Sequence, residues 1–458
     1  MELLEDERKE ELEEEEDDFP SWVGLDRKVN EVLYCTWFLD KHPMEYIGGK
    51  LFTVDGLIDD ENRIKAMMFE DLRPYIYRDI AKMVKQSFDA LKLMAHAPPM
   101  ETQVDRLHVS NGTLMLTDAP DGYGELKPEK EFCMNRLNVA YNRSAPQPGT
   151  WLKFLEELLE PGDILTLQEF MGYCLIPTNK AQKMLVIIGK GGEGKSRIGL
   201  VMQEILGDNM NTTSIQKVET NRFARADLEH KLLMVDDDMV IKALPQTSYI
   251  KTMVTNEGKM DIETKGKQSV QRQLYVRFLC FGNGSLSSLY DKSQGFYRRQ
   301  IILHTKDKPA DRPDDRHLID KIRAEKEGIF LWMLDGLHRL MANDFAFTIS
   351  PQAQANLQEA MENGNNIAQF MESNGYIRLE QGCKATSVDI YAAYARWCRD
   401  NLEKPLSATT FKQYLSQNAE QYGLEYSKHI TNNRRGYRNI LVQINPERDL
   451  LTNNIWNM

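Results

Sequence analysis

Residues 184–207 read MLVIIGKGGEGKSRIGLVMQEILG. The five apolar residues at 184–188 have the unbroken hydrophobicity of a strand buried on both faces. Residues 196–206 predict a helix, which Gly207 is placed to stop. Between them, residues 189–196 are Gly-Lys-Gly-Gly-Glu-Gly-Lys-Ser, a fit to G-x-x-x-x-G-K-[ST] in the strand–loop–helix context where that pattern binds phosphate. Gly189, Gly191, Gly192 and Gly194, with Glu193 among them, let backbone N–H groups curl around a β-phosphate, and the helix N-terminus adds positive potential. Lys195 is expected to reach the β- and γ-phosphates of ATP, and the Ser196 hydroxyl to ligate Mg2+. The plain alternative is a glycine turn that happens to carry Lys-Ser.

A nucleotide site of this kind also needs carboxylates for the metal and the attacking water. Residues 232–238 (LLMVDDD) supply them at the end of a short apolar strand. Asp236 and Asp237 are the first choice, Asp236 for the metal, and a one-residue shift to Asp237 and Asp238 stays open. The competing interpretation is an acidic surface turn. Residues 274–284 (LYVRFLCFGNG) form another strand, ending in Asn283, whose amide suits contact with a γ-phosphate or its attacking water. Asn283-Gly284 is equally a common turn dipeptide. Arg298 and Arg299 precede a further strand at 300–303. Their guanidinium groups suit the spread charge of phosphoryl transfer, as catalytic fingers, unless they are ordinary surface charge.

In this order the motifs resemble the superfamily-3 helicases, in particular the phage and plasmid primase-helicases with satellite-phage and poxvirus relatives. The stretches that carry the resemblance are HVSNGTLML, RLNVAYNRSAPQPGTW, DILTLQEFMGYCLIP, QKMLVIIGKGGEGKS, LLMVDDD, YIKTMVTNEGKMDIETKGKQ and FLCFGNGSLSSLYDKSQGFYRRQIIL. The resemblance implies an α/β, AAA+-like P-loop core, assembled as a hexameric ring with ATP between subunits. One of the two arginines would then act on a neighbour's ATP. It also implies translocation on single-stranded DNA, and a C-terminal region like a winged helix. Members often carry a polymerising primase domain, for which too few residues precede the helicase part, so priming would fall to a separate polypeptide.

Residues 251–268 can also be taken on their own. Residues 260–263 alternate like a strand, and Lys265-Gly266-Lys267 is a basic glycine turn suited to phosphates without base readout. In the resembling helicases such a hairpin lines the ring's pore, which assigns Lys265 and Lys267 to DNA contact. A solvated lysine turn is the alternative. In residues 404–444, six basic residues face two acidic ones, a net of +4. Residues 407–419 suit a recognition helix, and Asn432–Gly436 a wing turn that puts Arg434 and Arg435 on duplex or forked DNA. A subunit-contact domain fits the same stretch.

The domain boundaries expected are an acidic segment at 1–18, a mixed α+β helicase-associated domain at 19–150, the ATPase at 151–345, a linker at 346–372, and a winged-helix-like domain at 373–458. Within the first of the folded regions, residues 75–94 predict a helix and Asn111-Gly112 a hairpin turn. Residues 150–159 predict a helix with Thr150 as N-cap.

The whole chain has 458 residues and a formal charge of −12. Residues 1–18 carry 12 acidic and 2 basic groups, a net of −10, so the remaining 440 residues are nearly neutral at −2. The overall acidity therefore does not exclude a nucleic-acid partner, which needs only local positive potential. A like-charge block of this kind repels itself and is expected to lack a packed fold. No stretch approaches the ~18 uninterrupted apolar residues of a membrane span, and the acidic start suits neither a secretory nor a transit peptide. Six cysteines without C-x-x-C spacing suggest reduced thiols. Together these point to the cytoplasm, and the phage resemblance implies that of a bacterial host. The function expected is an ATP-dependent helicase of phage, prophage or mobile-element replication. An initiator or loader ATPase that binds DNA without unwinding it is the alternative, and a ring ATPase for nucleic-acid sensing or defence is a third.

Overall fold

The computed structural model describes residues 19–443 except 25, 59, 117–123, 240–243, 245–246, 256–257, 265, 267, 284–293, 309–314, 364–365, 374, 404, 421 and 432–433. The acidic segment thus lies outside the described residues.

The first region opens with helix α1 (Glu31–Lys41), whose N-terminus is capped by the Asn30 side chain. A meander of β1 (Met44–Ile47), β2 (Lys50–Thr53) and β3 (Gly56–Ile58) follows, then α2 (Glu61–Leu72) and α3 (Ile80–Met94). The α3 helix starts five residues later than the apolar pattern predicts, because Asp79 ahead of it adopts φ 53°. Trp22, Tyr34, Phe38, Met68, Phe88 and Leu91 are buried together as the core of this region. Strands β4 (Arg106–Val109), β5 (Gly112–Met115) and β6 (Leu126–Lys127) form a second antiparallel sheet. The hairpin turn is one residue earlier than expected, on Ser110–Asn111, since Val109 pairs with Gly112. Asn111 exchanges hydrogen bonds with the Tyr141 backbone at 3.0 and 2.9 Å, which holds that register from outside the hairpin.

Helices α4 (Gly149–Leu158) and α5 (Pro161–Tyr173) lead into the central layer. Thr150 is not the N-cap of α4. The Glu325 carboxylate, 175 residues away, accepts from the Thr150 and Trp151 N–H groups, both at 3.0 Å. The chain continues as β7 (Met184–Ile188), α6 (Ser196–Leu206), β8 (Met210–Thr212), α7 (Ile215–Thr220), α8 (Arg222–Ala226), β9 (Leu233–Met239) and α9 (Ser248–Thr255). Next come the hairpin β10 (Met260–Ile262) and β11 (Val270–Arg272), then β12 (Arg277–Gly282), α10 (Gln294–Tyr297) and β13 (Gln300–His304). Five of these strands make one parallel sheet in the order β13-β7-β12-β9-β8. This is a mixed α/β architecture of nucleotide-binding type. The chain leaves β7 for the far edge and returns to pair on its other side with β13, so the strand order reverses at β7. Ligands of such sheets bind at that reversal, outside the strands' C-terminal ends.

Buried side chains cover both faces of the sheet. Leu185, Ile187, Leu279 and Leu303 point to one core, and Met184, Val186, Phe278 and Ile302 to the other, as the strand period of two requires. Arg277, fully buried in β12, donates to the carbonyls of Tyr173 (2.8 Å), Ile176 (2.5 Å) and Tyr275 (2.6 Å), which ties the sheet to the connection before β7.

Helices α11 (Leu318–Ala324) and α12 (Lys326–Ala342) back the first of these cores, and α13 (Pro351–Asn363) reaches both, with Ala353 in the first and Ala360 in the second. The backbones of α5 and α12 run so close that a Cβ on Gly336 would sit 2.3 Å from the Gln168 carbonyl. The stretch expected as a linker is mostly helical. Its α13 buries Ala353 and Ala360, and Asn356 donates to the Ile302 carbonyl at 3.1 Å. Its Gln- and Asn-rich composition concealed a helix whose buried amide satisfies the outer edge of β13.

The last region runs α14 (Asn366–Glu372), β14 (Ile377–Arg378), β15 (Lys384–Thr386), α15 (Ser387–Asp400), α16 (Ala408–Asn418), β16 (Glu425–Thr431), β17 (Arg434–Arg438) and β18 (Leu441–Val442). Its three-stranded antiparallel sheet has the order β15-β17-β16. In its core Tyr394 stacks on Phe411, and Phe370 meets Trp397 edge-on.

Candidate functional site

All strands of the central sheet are parallel, so one edge collects their C-terminal ends. The Gly189 N–H donates to the Gly282 carbonyl at 3.1 Å, and the Thr305 N–H to the Ile188 carbonyl at 2.8 Å. These bonds bring together the loop after β7, Asn283 after β12, and Thr305 after β13. The acidic end of β9 lies on the same edge. The expected candidates Gly189–Ser196, Asp236, Asp237 and Asn283 therefore converge.

Within the loop, Gly191, Gly192 and Gly194 have φ of 110°, 84° and 105°, a region that favours glycine. Gly189 has no such φ, but a Cβ there would lie 2.2 Å from Thr305 Oγ1 and 2.9 Å from Lys195 Nζ. Lys195 is only 8% exposed and Glu193 only 3%. The Lys195 ammonium donates to Glu193 Oε2 at 3.0 Å, while Glu193 Oε1 accepts from the Gly191 N–H at 2.8 Å. Burial opposes the charged carboxylate, but the Lys195 and backbone hydrogen bonds outweigh it, holding Glu193 below the usual glutamate range. Ser196 opens α6 with an exposed side chain.

The three acidic residues of β9 separate. Asp236 is 4% exposed, and its Oδ2 accepts from the Ile215 N–H at 2.8 Å, in the first turn of α7 beside its N-cap Ser214. Burial pushes its carboxyl above the usual aspartate range. Asp237 and Asp238 are exposed. Ser196 and these carboxylates are oxygen donors of the kind Mg2+ takes. Among the described residues, no group of three or more His, Cys, Asp or Glu side chains is placed to hold a metal.

Arg298 and Arg299 do not join this edge. The Met184 N–H donates to the Arg299 carbonyl at 2.8 Å, which puts both arginines at the start of β7 and β13. Arg298 is exposed, whereas Arg299 is half-buried and its guanidinium donates to the Gly295 carbonyl. Lys183 donates to the Arg298 carbonyl, and burial, with both guanidiniums nearby, lowers its pKa.

The β10–β11 hairpin is present, with Gly266 at φ 76°, but Lys265 and Lys267 lie outside the described residues. Its base is anchored by Arg222 to Glu263 at 2.9 Å, and by Arg272 to Glu229 at 2.8 Å. Arg434 and Arg435 are exposed strand residues at the start of β17 rather than members of the wing turn, because Arg434 already pairs with Thr431.

Two residues escape a motif-based reading. Thr305 buries its hydroxyl beside Gly189 with no hydrogen-bond partner among the described residues, and only its place after β13 hints at this. Glu219, at the end of α7, is 2% exposed and accepts from the Tyr249 and Ile250 N–H groups at 3.2 and 2.9 Å. It caps α9, which leads into the β10–β11 hairpin.

All six cysteines are unpaired, and five are buried. Among the described residues, no helix is long and apolar enough to cross a membrane. Residues 187–299 match a family of unknown function, DUF5906. This span runs from the end of β7 through the acidic strand and the hairpin to Arg299. Among solved structures, the chain is similar to the apo NrS-1 C-terminal region (305–718), with a TM-score of 0.50 and 10% identity over 90% of this chain and 100% of that one. An A-form apo structure of the same region gives 0.49, again at 10% identity, over 88% and 98%. At such identity the likeness is one of fold.

Proposed function

We propose that this chain is an ATP-dependent DNA helicase of phage or mobile-element replication, a superfamily-3, AAA+-like motor working as a hexameric ring on single-stranded or forked DNA. The observation that carries the proposal is the division of the central sheet. Lys195, Ser196, Asp236–Asp238 and Asn283 share its C-terminal edge, and Arg298 and Arg299 sit at the other. A complete phosphoryl-transfer site then needs two copies of the chain. The strand order, the hairpin between α9 and β12 and the winged-helix-like order of the last region support the same reading.

In this site the loop N–H groups and Lys195 bind the β- and γ-phosphates. Mg2+, when bound with the nucleotide, neutralises phosphate charge, and Ser196 with the β9 carboxylates would hold it. Exposed Asp237 orients and deprotonates the attacking water, the role of a general base. Asn283 holds the γ-phosphate or that water. A neighbour's arginine stabilises the charge that spreads over the transferring phosphoryl group. Lys265 and Lys267 grip the DNA backbone, and Arg434 and Arg435 hold the duplex ahead.

A strand-displacement assay on forked duplexes of both polarities tests this, with wild type, Lys195→Ala and Lys265→Ala/Lys267→Ala. Wild type should displace a strand and both variants should not. If ATP is hydrolysed and DNA bound, yet nothing is displaced on either fork, the helicase assignment fails and the initiator or loader ATPase takes its place.

A further inference from the structure

We propose that Glu193 sets the affinity of the glycine loop, its carboxylate filling the anion seat so that a polyphosphate binds by displacing it. This rests on the nucleotide reading above and adds to it a competitor built into the chain. A loop that curls its N–H groups around a lysine is a receptor for a negative charge. Here the receptor already holds one. Glu193 takes the Gly191 N–H through one oxygen and the Lys195 ammonium through the other, at 2.8 and 3.0 Å. Its carboxyl carbon lies 3.1 Å from where a Cβ on Gly189 would be, inside the curl of the loop. Carboxylate and ammonium are both nearly withdrawn from water, so neither is balanced by solvent when the pair separates.

The single Gly191 N–H cannot serve two anions, and a phosphate brought to Lys195 with the carboxylate still in place would meet its negative charge. Apparent affinity is the intrinsic affinity multiplied by the fraction of loops whose seat is open. Removing the charge of residue 193 raises that fraction and leaves Lys195 buried without its counter-ion until a phosphate arrives. Glu193→Gln keeps the size and an acceptor for Gly191 while deleting the charge. Glu193→Ala deletes the acceptor as well.

The test is calorimetric titration of the full chain with ADP and with inorganic pyrophosphate, the latter without metal so that coordination plays no part. Thermal melting with and without each ligand accompanies it. Both variants should bind pyrophosphate and ADP about tenfold more tightly or better, the scale of one charge-assisted hydrogen bond. Without ligand both should melt lower than wild type, and ligand should raise their melting temperature by more. Binding by the variants alone supports the proposal. Equal or weaker binding by folded variants, where wild type binds, overturns it and leaves the nucleotide site standing. Binding by neither wild type nor variants removes the nucleotide reading and the proposal with it.

Discussion

Arg299 and Lys195 stand at opposite ends of β7. The Arg299 carbonyl accepts from the Met184 N–H where the strand begins, and Lys195 closes the loop that follows Ile188, where it ends. Five residues of strand put roughly 16 Å between those ends. No arginine side chain bridges that gap in one molecule, so on the proposed reading a nucleotide that meets both residues lies between two molecules. The arginines also differ. Arg299 is tethered to the Gly295 carbonyl, and Arg298 is exposed, which makes Arg298 the first choice for a finger.

Arg298→Ala should therefore lower hydrolysis about a thousandfold, the lower end for an arginine finger, with ATP binding nearly unchanged. Mixing it with Lys195→Ala should restore part of the activity, since a mixed interface can pair an intact loop with an intact finger. Steady-state hydrolysis over a range of mixing ratios measures this, and no rescue at any ratio counts against a site completed in trans.

Asp236 and Asp237 are adjacent in sequence and should fail differently. Asp236 is buried and takes the Ile215 N–H in the first turn of α7. Asp236→Ala should cost about 1–3 kcal/mol of stability, the range for leaving a buried N–H donor unsatisfied. Exposed Asp237 makes no such contribution, so Asp237→Ala should melt within ~0.5 kcal/mol of wild type. Its hydrolysis should nevertheless fall a hundredfold or more, the scale of a lost general base. Urea unfolding and an ATPase assay on the same two variants separate the roles. A loss of stability in the second, or none in the first, reverses them.

The parts legible from sequence were those fixed locally. A continuous apolar run, a glycine loop and an amphipathic stretch give β7, the loop and α6 without distant help. The alternation at 260–263 gives β10 for the same reason. What escaped depends on partners far along the chain. The cap of α4 is Glu325, the turn register of β4–β5 leans on Tyr141, and α13 is held by a strand carbonyl. The splitting of Asp236 from Asp237 needed the helix that β9 faces. Composition alone records none of these pairings.

His108 gives a pH dependence. It is buried between Gln103 Oε1 (3.0 Å) and Thr113 Oγ1 (3.3 Å). Burial, with Arg136 nearby, holds its pKa down to about 4 from 6.5. Between those values the unfolded chain binds a proton that the folded chain does not, so stability falls as pH drops through this window. The ceiling is roughly 3 kcal/mol, at about 1.4 kcal/mol per pKa unit. His108→Gln should flatten the drop in melting temperature between pH 6.5 and 4 relative to wild type. An unaltered slope would place the acid sensitivity elsewhere.

The antiparallel pair β16–β17 presents Lys428, Arg434, Arg435 and Arg438 to solvent. Arg434 and Arg435 are neighbours in an extended strand, so their side chains leave on opposite faces. Both can touch phosphates only if the hairpin enters a groove or lies between two strands of a fork. A hairpin laid flat on a duplex would use one of them. Each phosphate contact contributes about 0.9 to the slope of log affinity against log salt on duplex DNA. Arg434→Ala/Arg435→Ala should thus flatten the slope by roughly 1.8 if the hairpin is inserted, and by about 0.9 if it lies flat. Hydrolysis without DNA should not change, since the pair lies in a different region from the central sheet. Binding isotherms on a forked duplex at several salt concentrations read the slope directly. A slope equal to wild type would take these arginines off the DNA and leave the last region to hold protein instead.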